Sequence, residues 1–289
     1  MHSGQQTSGG SLNDGTDSRA AFLRGEVRRT TDVPSFEILG VRVHVVEMAE
    51  TIKHLRTWIG DRQSRFVAVT SMHGVAVASR DSAFHRVLNS ADLVVADGTP
   101  LVWVARVKGH RFRRRVSGCD LVDNFCRDSG GAYRHFFYGG TPGAAERLAT
   151  TLRDRFGIVV AGTYTPPFRS LTNAEESELA AIVERASPDV LWVGLSTPKQ
   201  ETWMYQHRHK LKVPLMLGVG AAFDLNSGNV QRAPVWMRDH GLEWLFRLAA
   251  EPRRLWKRYL VTIPQALWFV GLELLGFSKV PLTERHDAR

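Results

Sequence analysis

Lys199, Gln200 and Glu201 follow Pro198 just beyond the apolar run Val190 to Gly194, so a cation, an amide and a carboxylate stand together at a predicted strand-to-helix turn. Proline fits the first helical turn, where its missing N–H costs nothing, and the unpaired amides of that turn beside Lys199 suit a phosphate. The same residues also fit a plain turn with three solvated side chains. Asp97 closes a second apolar run, Leu93 to Ala96. A carboxylate aimed from there into a cleft and partly desolvated has a raised pKa and works as a proton acceptor. Asp97 is equally placed to cap a helix opening near Pro100. Gly139, Gly140, Gly143, Gly194, Gly218 and Gly220 punctuate further strand ends and fit turns or close backbone approach. The run Gly139-Gly140-Thr141-Pro142-Gly143 departs from the Gly-X-Gly-X-X-Gly dinucleotide fingerprint.

The elements that must hold these residues are short apolar strands alternating with helical patterns. Strands are predicted at Phe66 to Thr70, Leu93 to Ala96, His135 to Tyr138, Ile158 to Thr163, Val190 to Gly194 and Leu215 to Val219. Thr141 to Arg155 and Asn173 to Arg185 carry apolar residues at helical spacing. This alternation predicts an α/β fold, a doubly wound, mostly parallel Rossmann-like sheet, whose ligands sit beyond the carboxyl ends of the strands. The chemical residues fall at those ends. Residues 1–35, rich in Ser, Gly, Asp, Thr and Arg, read as a disordered tail, as do residues 281–289. Residues 36–240 form the α/β core and 241–280 a C-terminal helical appendage. Within the appendage Arg247, Arg253, Arg254, Lys257 and Arg258 precede the apolar run Tyr259 to Phe277, which Pro264, Gln265 and Glu273 interrupt. Such a run fits an amphipathic helix in a membrane interface, or a helix packed on the core, or both in part.

A chain of 289 residues with 43 % hydrophobic composition buries a sizeable core. Its net charge of +9 calls for an anionic partner, and nucleic acid, acidic lipid and nucleotide diphosphates all qualify. The basic residues cluster with the apolar tail rather than with exposed stacking aromatics, which argues against nucleic acid. Cys119 and Cys126 are the only cysteines and lack zinc-site spacing, so neither a disulfide framework nor a zinc site is expected. The polar N-terminus shows no signal peptide, and a cytoplasmic location is expected.

Six segments extend the pattern: Asp97-Gly98-Thr99-Pro100, Arg115-Val116-Ser117-Gly118-Cys119-Asp120, Tyr138 to Gly143, Val193 to Glu201, Gly218 to Asp224, and Arg232-Ala233-Pro234 with Glu243-Trp244-Leu245-Phe246-Arg247 and Glu251-Pro252-Arg253-Arg254. In this order, from about Phe36 to Tyr259, they resemble the WecG/TagA/CpsF glycosyltransferases, which build bacterial cell-surface polysaccharides. The resemblance implies an inverting sugar transfer from a UDP-sugar to a polyprenyl-diphosphate-linked saccharide, peripheral on the inner face of the cytoplasmic membrane. It implies Asp97 as catalytic base, Arg115 lining the active site and facing the diphosphate, and Arg247, Arg254 and Arg258 closing over the phosphates. Thr70, Ser71, Gly139, Gly140, Gly194, Lys199, Gln200, Glu201 and Asp224 would bind substrate.

Many glycosyltransferases hold the diphosphate through a metal on Asp-X-Asp, but Asp92 and Asp97 are five apart and Asp120 and Asp123 three apart. No metal or cofactor is therefore expected, and arginines, Lys199 and helix amino-termini take that role. Two departures bear on the donor. Family members show Thr-X-Asn where this chain has Val69-Thr70-Ser71, and glycine where it has Ser196. His73, close by, fits either a pocket residue or a structural histidine. The family can self-associate, so a homo-oligomer is compatible with the resemblance. Two other classes compete: a nicotinamide-dependent oxidoreductase using the Gly139 segment, and a non-catalytic scaffold of a polysaccharide assembly complex.

Overall fold

A computed structural model describes residues 33–228 and 230–277. The tail expected at 281–289 lies outside the described residues, as does the tail expected at 1–35 except for its last three, where Ser35 already opens a strand. An antiparallel hairpin of β1 (Ser35–Ile38) and β2 (Val41–His44) comes first and leads into α1 (Met48–Asp61). β3 (Arg65–Thr70), α2 (Met72–Ala78), α3 (Ser82–Asn89), β4 (Leu93–Ala96), α4 (Thr99–Val107) and α5 (Gly118–Ser129) follow. Next are β5 (Arg134–Gly139), α6 (Ala144–Phe156), β6 (Val159–Tyr164), α7 (Asn173–Ala186), β7 (Val190–Gly194), α8 (Lys199–Leu211), β8 (Leu215–Gly218) and α9 (Ala222–Asn226). After α10 (Val235–Asp239), the appendage holds α11 (Glu243–Ala250), α12 (Pro252–Trp256), a π-helical stretch at Lys257–Thr262 and α13 (Ile263–Leu274).

Strands β3 to β8 form one six-stranded parallel sheet in the order β4-β3-β8-β7-β5-β6. Its inner strands are buried on both faces, which is why they read as unbroken apolar runs rather than alternating ones. On one face Phe66, Ala68, Val94, Phe136, Leu191 and Met216 pack against α2, α3, α4, α7, α8 and the hairpin. On the other, Val67, Val95, Phe137, Trp192 and Leu217 pack against α1, α5, α6 and α9. The result is three layers with one carboxyl edge, where Thr70 pairs with Ala96 and Gly139 with Gly194. Gly139 and Gly194 are there for close approach. A Cβ on Gly139 would lie 2.7 Å from the Gly194 carbonyl oxygen, and one on Gly194 would lie 2.5 Å from the Phe223 ring.

Ala266 and Val270 of α13 belong to the core and are 1 % and 2 % exposed. The polar residues that interrupt this helix face the body. Gln265 accepts from Arg80 Nη2 at 2.8 Å, and Glu273 accepts from the Leu39 amide at 2.8 Å and from Lys108 Nζ at 2.6 Å. The outward side keeps Leu260, Val261, Leu267, Trp268, Leu274, Leu275 and Phe277 exposed. The tail therefore packs on the core and also presents an apolar surface. Among the described residues no helix is long and apolar enough to cross a membrane.

Candidate active site

Asp97 is pinned by the strand it ends, because its amide donates to the Thr70 carbonyl at 2.6 Å and so extends the β3–β4 ladder by one bond. On the other side the Val116 amide donates to the Ala96 carbonyl at 2.9 Å, which fixes the loop carrying Arg115 against the same strand end. Arg115 Nη1 then donates to Asp97 Oδ1 at 3.2 Å. Asp97 does not cap α4: Gly98, at φ 136°, precedes that helix, and no side chain accepts its first amides. The Asp97 carboxyl is recessed yet 36 % exposed. Burial pushes its pKa above the usual carboxylate range, against the pull of Arg115; Glu243 adds to the rise, while Arg247 and Arg258 oppose it.

Glu243, at the start of α11, is the functional residue that sequence reasoning missed. Its Oε2 accepts from Arg115 Nη2 at 2.5 Å, so one guanidinium bridges Asp97 and Glu243. The network continues from Glu243 Oε1 to Arg232 Nε at 3.9 Å, and from Arg232 Nη2 to Asp120 Oδ1 at 2.6 Å. Ser117 caps α5 and donates to Asp120 Oδ2 at 2.6 Å. Burial pushes the Asp120 carboxyl up, but Ser117 and Arg232 outweigh it and leave the pKa below the ordinary value. A signal existed: Glu243 and Arg247 stand four apart on one helix, the spacing that puts two side chains on one face.

Arg258 reaches the same place from the π-helical stretch and donates from Nη2 to Ser71 Oγ at 3.0 Å. Burial lowers its pKa, and its Nε has no partner among the described residues. Burial, then the Arg258 charge, also lowers the His73 pKa to about 4, so the ring is neutral near pH 7. Thr70 Oγ1 and His73 Nδ1 are buried without partners among the described residues. Unmet polar atoms are uncommon in folded chains, and several gather here.

The Thr197–Pro198 loop adjoins this cluster. A Cβ added to Gly74 would meet Thr70 Oγ1 at 2.2 Å and Thr197 Cγ2 at 3.6 Å. Helix α8 begins at Lys199, with Pro198 as the residue before it rather than inside the first turn. Gln200 and Glu201 turn inward and are 3 % and 0 % exposed. Glu201 Oε1 accepts from Thr197 Oγ1 at 2.8 Å and Gln200 Nε2 at 3.0 Å, and burial, opposed by these bonds, raises its pKa. Gln200 Oε1 lies against Gly220 and is left without a partner among the described residues. Glu201 thus ties the loop through Oε1, while its Oε2, like Gln200 Oε1, is a buried acceptor without a partner among the described residues. Lys199 is exposed at the mouth of the turn. Ser196 sits at φ 65°, a left-handed conformation that glycine adopts more readily.

Beyond Gly139 and Gly140 the carboxyl edge opens into a cavity of about 520 Å³ lined by Thr141, Arg147, Asp224, Val230, Glu251 and Arg254. Asp224 Oδ1 accepts from Thr141 Oγ1 at 3.4 Å, and Arg254 is ion-paired to Glu251. The candidate residues therefore divide. Thr70, Ser71, Arg115, Arg247 and Arg258 gather around Asp97, Asp224 and Arg254 line the open cavity, and Gly139, Gly140 and Gly194 build the strand ends between them.

Residues 36–279 match the model of the glycosyl transferase WecG/TagA/CpsF family. A relative from Bacillus spizizenii (strain W23) named N-acetylglucosaminyldiphosphoundecaprenol N-acetyl-beta-D-mannosaminyltransferase is 32 % identical over 76 % of this chain and 84 % of its own. Proteins of the same name from Bacillus subtilis (strain 168) and Staphylococcus aureus (strain MRSA252) are 29 % and 24 % identical, covering 65 % and 80 % of this chain and 72 % and 89 % of theirs. The ordered motifs, the parallel sheet and these matches agree: the chain is a glycosyltransferase and belongs to the WecG/TagA/CpsF family.

Proposed function

We propose that this glycosyltransferase moves an N-acetylhexosamine-type sugar from a UDP-sugar to a polyprenyl-diphosphate-linked saccharide in cell-surface polysaccharide synthesis. The relatives' names make N-acetylmannosamine the first donor sugar to test and N-acetylglucosaminyl-diphosphoundecaprenol the first acceptor. The observation that carries the reading is the Asp97 carboxylate, recessed at the end of β4 and facing Arg115 at 3.2 Å within a ring of guanidinium groups.

In this mechanism Asp97 takes the proton of the acceptor hydroxyl as its oxygen attacks the anomeric carbon. The bond from that carbon to the diphosphate oxygen breaks, and UDP leaves with the bonding pair. One displacement inverts the anomeric centre. Charge grows on the departing diphosphate, and Arg115, Arg247 and Arg258 offer charge-assisted donors without a divalent ion. Asp224 and the Gly139–Gly140 turn, beside the cavity lined by Arg254, are assigned to the nucleotide. Gln200 Oε1 and Thr70 Oγ1 are assigned to substrate hydroxyls or amides. Lys199 supplies a charge at the mouth.

Exposed Trp236 and the appendage's exposed Trp244, Trp256 and Trp268, with Arg253, Arg254 and Lys257 among them, support a peripheral seat on an anionic membrane, assigned to the inner face of the cytoplasmic membrane. A thermal-shift panel of nucleotide sugars tests the donor, since a ligand that binds the folded chain stabilises it with the logarithm of its concentration over Kd. UDP-N-acetylmannosamine is expected to raise the melting temperature. No stabilisation by any UDP-sugar, with no transfer to lipid acceptor, favours the scaffold instead.

A further inference from the structure

Five of the eight tryptophans are exposed, and four of those five lie in the appendage or, as Trp236, just before it. The exception is Trp103 of α4, 56 % exposed, with Val107 one turn later at 69 %. Helix α4 buries Leu101, Val102 and Ala105 in the core, so Trp103, Arg106 and Val107 share its outward face at positions i, i+3 and i+4. Arg106 folds over the loop that follows and donates from Nε to the Phe112 carbonyl and from Nη2 to the Arg113 carbonyl, both at 2.8 Å. Phe112 is buried at 2 % exposure. The loop is thereby held with Arg111, Arg113 and Arg114 exposed on either side of a buried phenylalanine, and none of the three forms a salt bridge among the described residues. The nearby Glu47 is bonded to the Arg113 amide, not to a guanidinium.

The end of α13 is tied to the end of α4. Lys108, the residue after α4, is tied to Glu273 at 2.6 Å, and Leu274, Leu275 and Phe277 lie exposed just beyond. A tryptophan and aliphatic side chains rimmed by unpaired arginines are what a headgroup layer of acidic lipid accommodates. Single exposed apolar residues need no explanation, but these stand on a helix whose end is tied through Lys108 to the tail, and they carry their own cations.

We propose that α4 and the Arg111–Arg114 loop are a second, core-borne part of the bilayer-binding face, continuous with the end of α13, whose occupant is an anionic lipid surface. This rests on the peripheral-membrane reading of the appendage. Because the loop leads directly into Arg115, seating it on lipid fixes the entry to the acid from the side on which a lipid-linked acceptor arrives.

Flotation of the full chain with phosphatidylglycerol-containing and phosphatidylcholine-only vesicles tests this. An arginine at an anionic surface is worth a factor of about five in affinity. The triple variant Arg111→Gln, Arg113→Gln, Arg114→Gln is therefore expected to bind phosphatidylglycerol vesicles roughly a hundredfold more weakly. Trp103→Ala with Val107→Ala is expected to weaken binding to both vesicle types. Melting temperature and transfer to a water-soluble short-chain acceptor stay unchanged in both variants, which separates surface loss from misfolding. Wild-type flotation with undiminished flotation of both variants overturns the inference and leaves the appendage reading standing. Absence of wild-type flotation overturns both. A change in oligomeric mass by light scattering, without change in vesicle affinity, reassigns the face to contact between copies and also overturns it.

Discussion

Removing Arg115 separates its structural from its chemical work. Arg115→Ala leaves Asp97 and Glu243 facing each other without the cation that now bridges them at 3.2 and 2.5 Å. Breaking a fully buried pair from one side costs about 3–5 kcal/mol. Here Arg115, Asp97 and Glu243 keep 19 %, 36 % and 14 % side-chain exposure, so screening lowers the expected cost to roughly 2 kcal/mol. For a body of this size the melting temperature should fall by roughly 4–8 °C. Glu243→Ala alone leaves Arg115 paired with Asp97 and should cost about 1 kcal/mol. The double variant removes the uncompensated charge, so it should melt above the sum of the two losses, with a coupling of about 1 kcal/mol. Turnover behaves differently. Loss of a preorganised donor to the leaving group costs about 10²–10³ in kcat, and the double variant should not regain it. Calorimetry of the four proteins beside a transfer assay reads both. Additive melting shifts, or full turnover without Arg115, would refute the bridging role.

Other outcomes follow from the geometry. Gly194→Ala places a methyl 2.5 Å from the Phe223 ring, which is wholly buried, and should destabilise by about 1–3 kcal/mol in denaturant titration. Ser196→Gly relieves a φ of 65° and should raise stability by about 1 kcal/mol or leave it unchanged; a loss would show that the serine side chain holds the turn. Burial lowers the pKa of His44, His73 and His135 from 6.5 to about 4. The folded state resists protonating them while the unfolded chain does not, so stability is full above pH 6.5 and declines as pH falls toward about 4. Melting curves that stay flat across that window would contradict this. Asp97 has the opposite sign: its raised pKa means that ionisation opposes folding, so its contribution is lost as pH rises through the folded pKa. Asp97→Asn should therefore melt higher than wild type near neutral pH, with the gain vanishing in acid.

Five of the six sheet strands were legible because a buried parallel strand leaves an uninterrupted apolar run; β6, at the sheet's edge and mostly half-buried, does not owe its legibility to that. The predicted spans of β4 and β7 match residue for residue, and the other four strands differ by one position at one or both ends. The β1–β2 hairpin, with strands of four residues, lacks the length to show a period. Glu243 was quoted in a motif but given no role, because its partner Arg115 stands 128 positions earlier and only the folded appendage brings them together. Gln265 and Glu273 read as interruptions of an apolar run. They are the side chains that tie α13 to Arg80, Lys108 and Leu39, a reversal that helical periodicity cannot express because it marks a face without naming what that face meets. Gln200 and Glu201 read with Lys199 as one group after Pro198, while the structure separates them, burying Gln200 and Glu201 and leaving Lys199 exposed, a division that adjacency in sequence does not express.

The most direct test is sugar transfer from UDP-N-acetylmannosamine to N-acetylglucosaminyl-diphospholipid by Asp97→Asn, with UDP affinity measured on the same protein. Turnover should disappear while UDP binds almost as tightly as to the wild type. Transfer at the wild-type rate would remove the carboxylate from the chemistry and with it the mechanism built on β4.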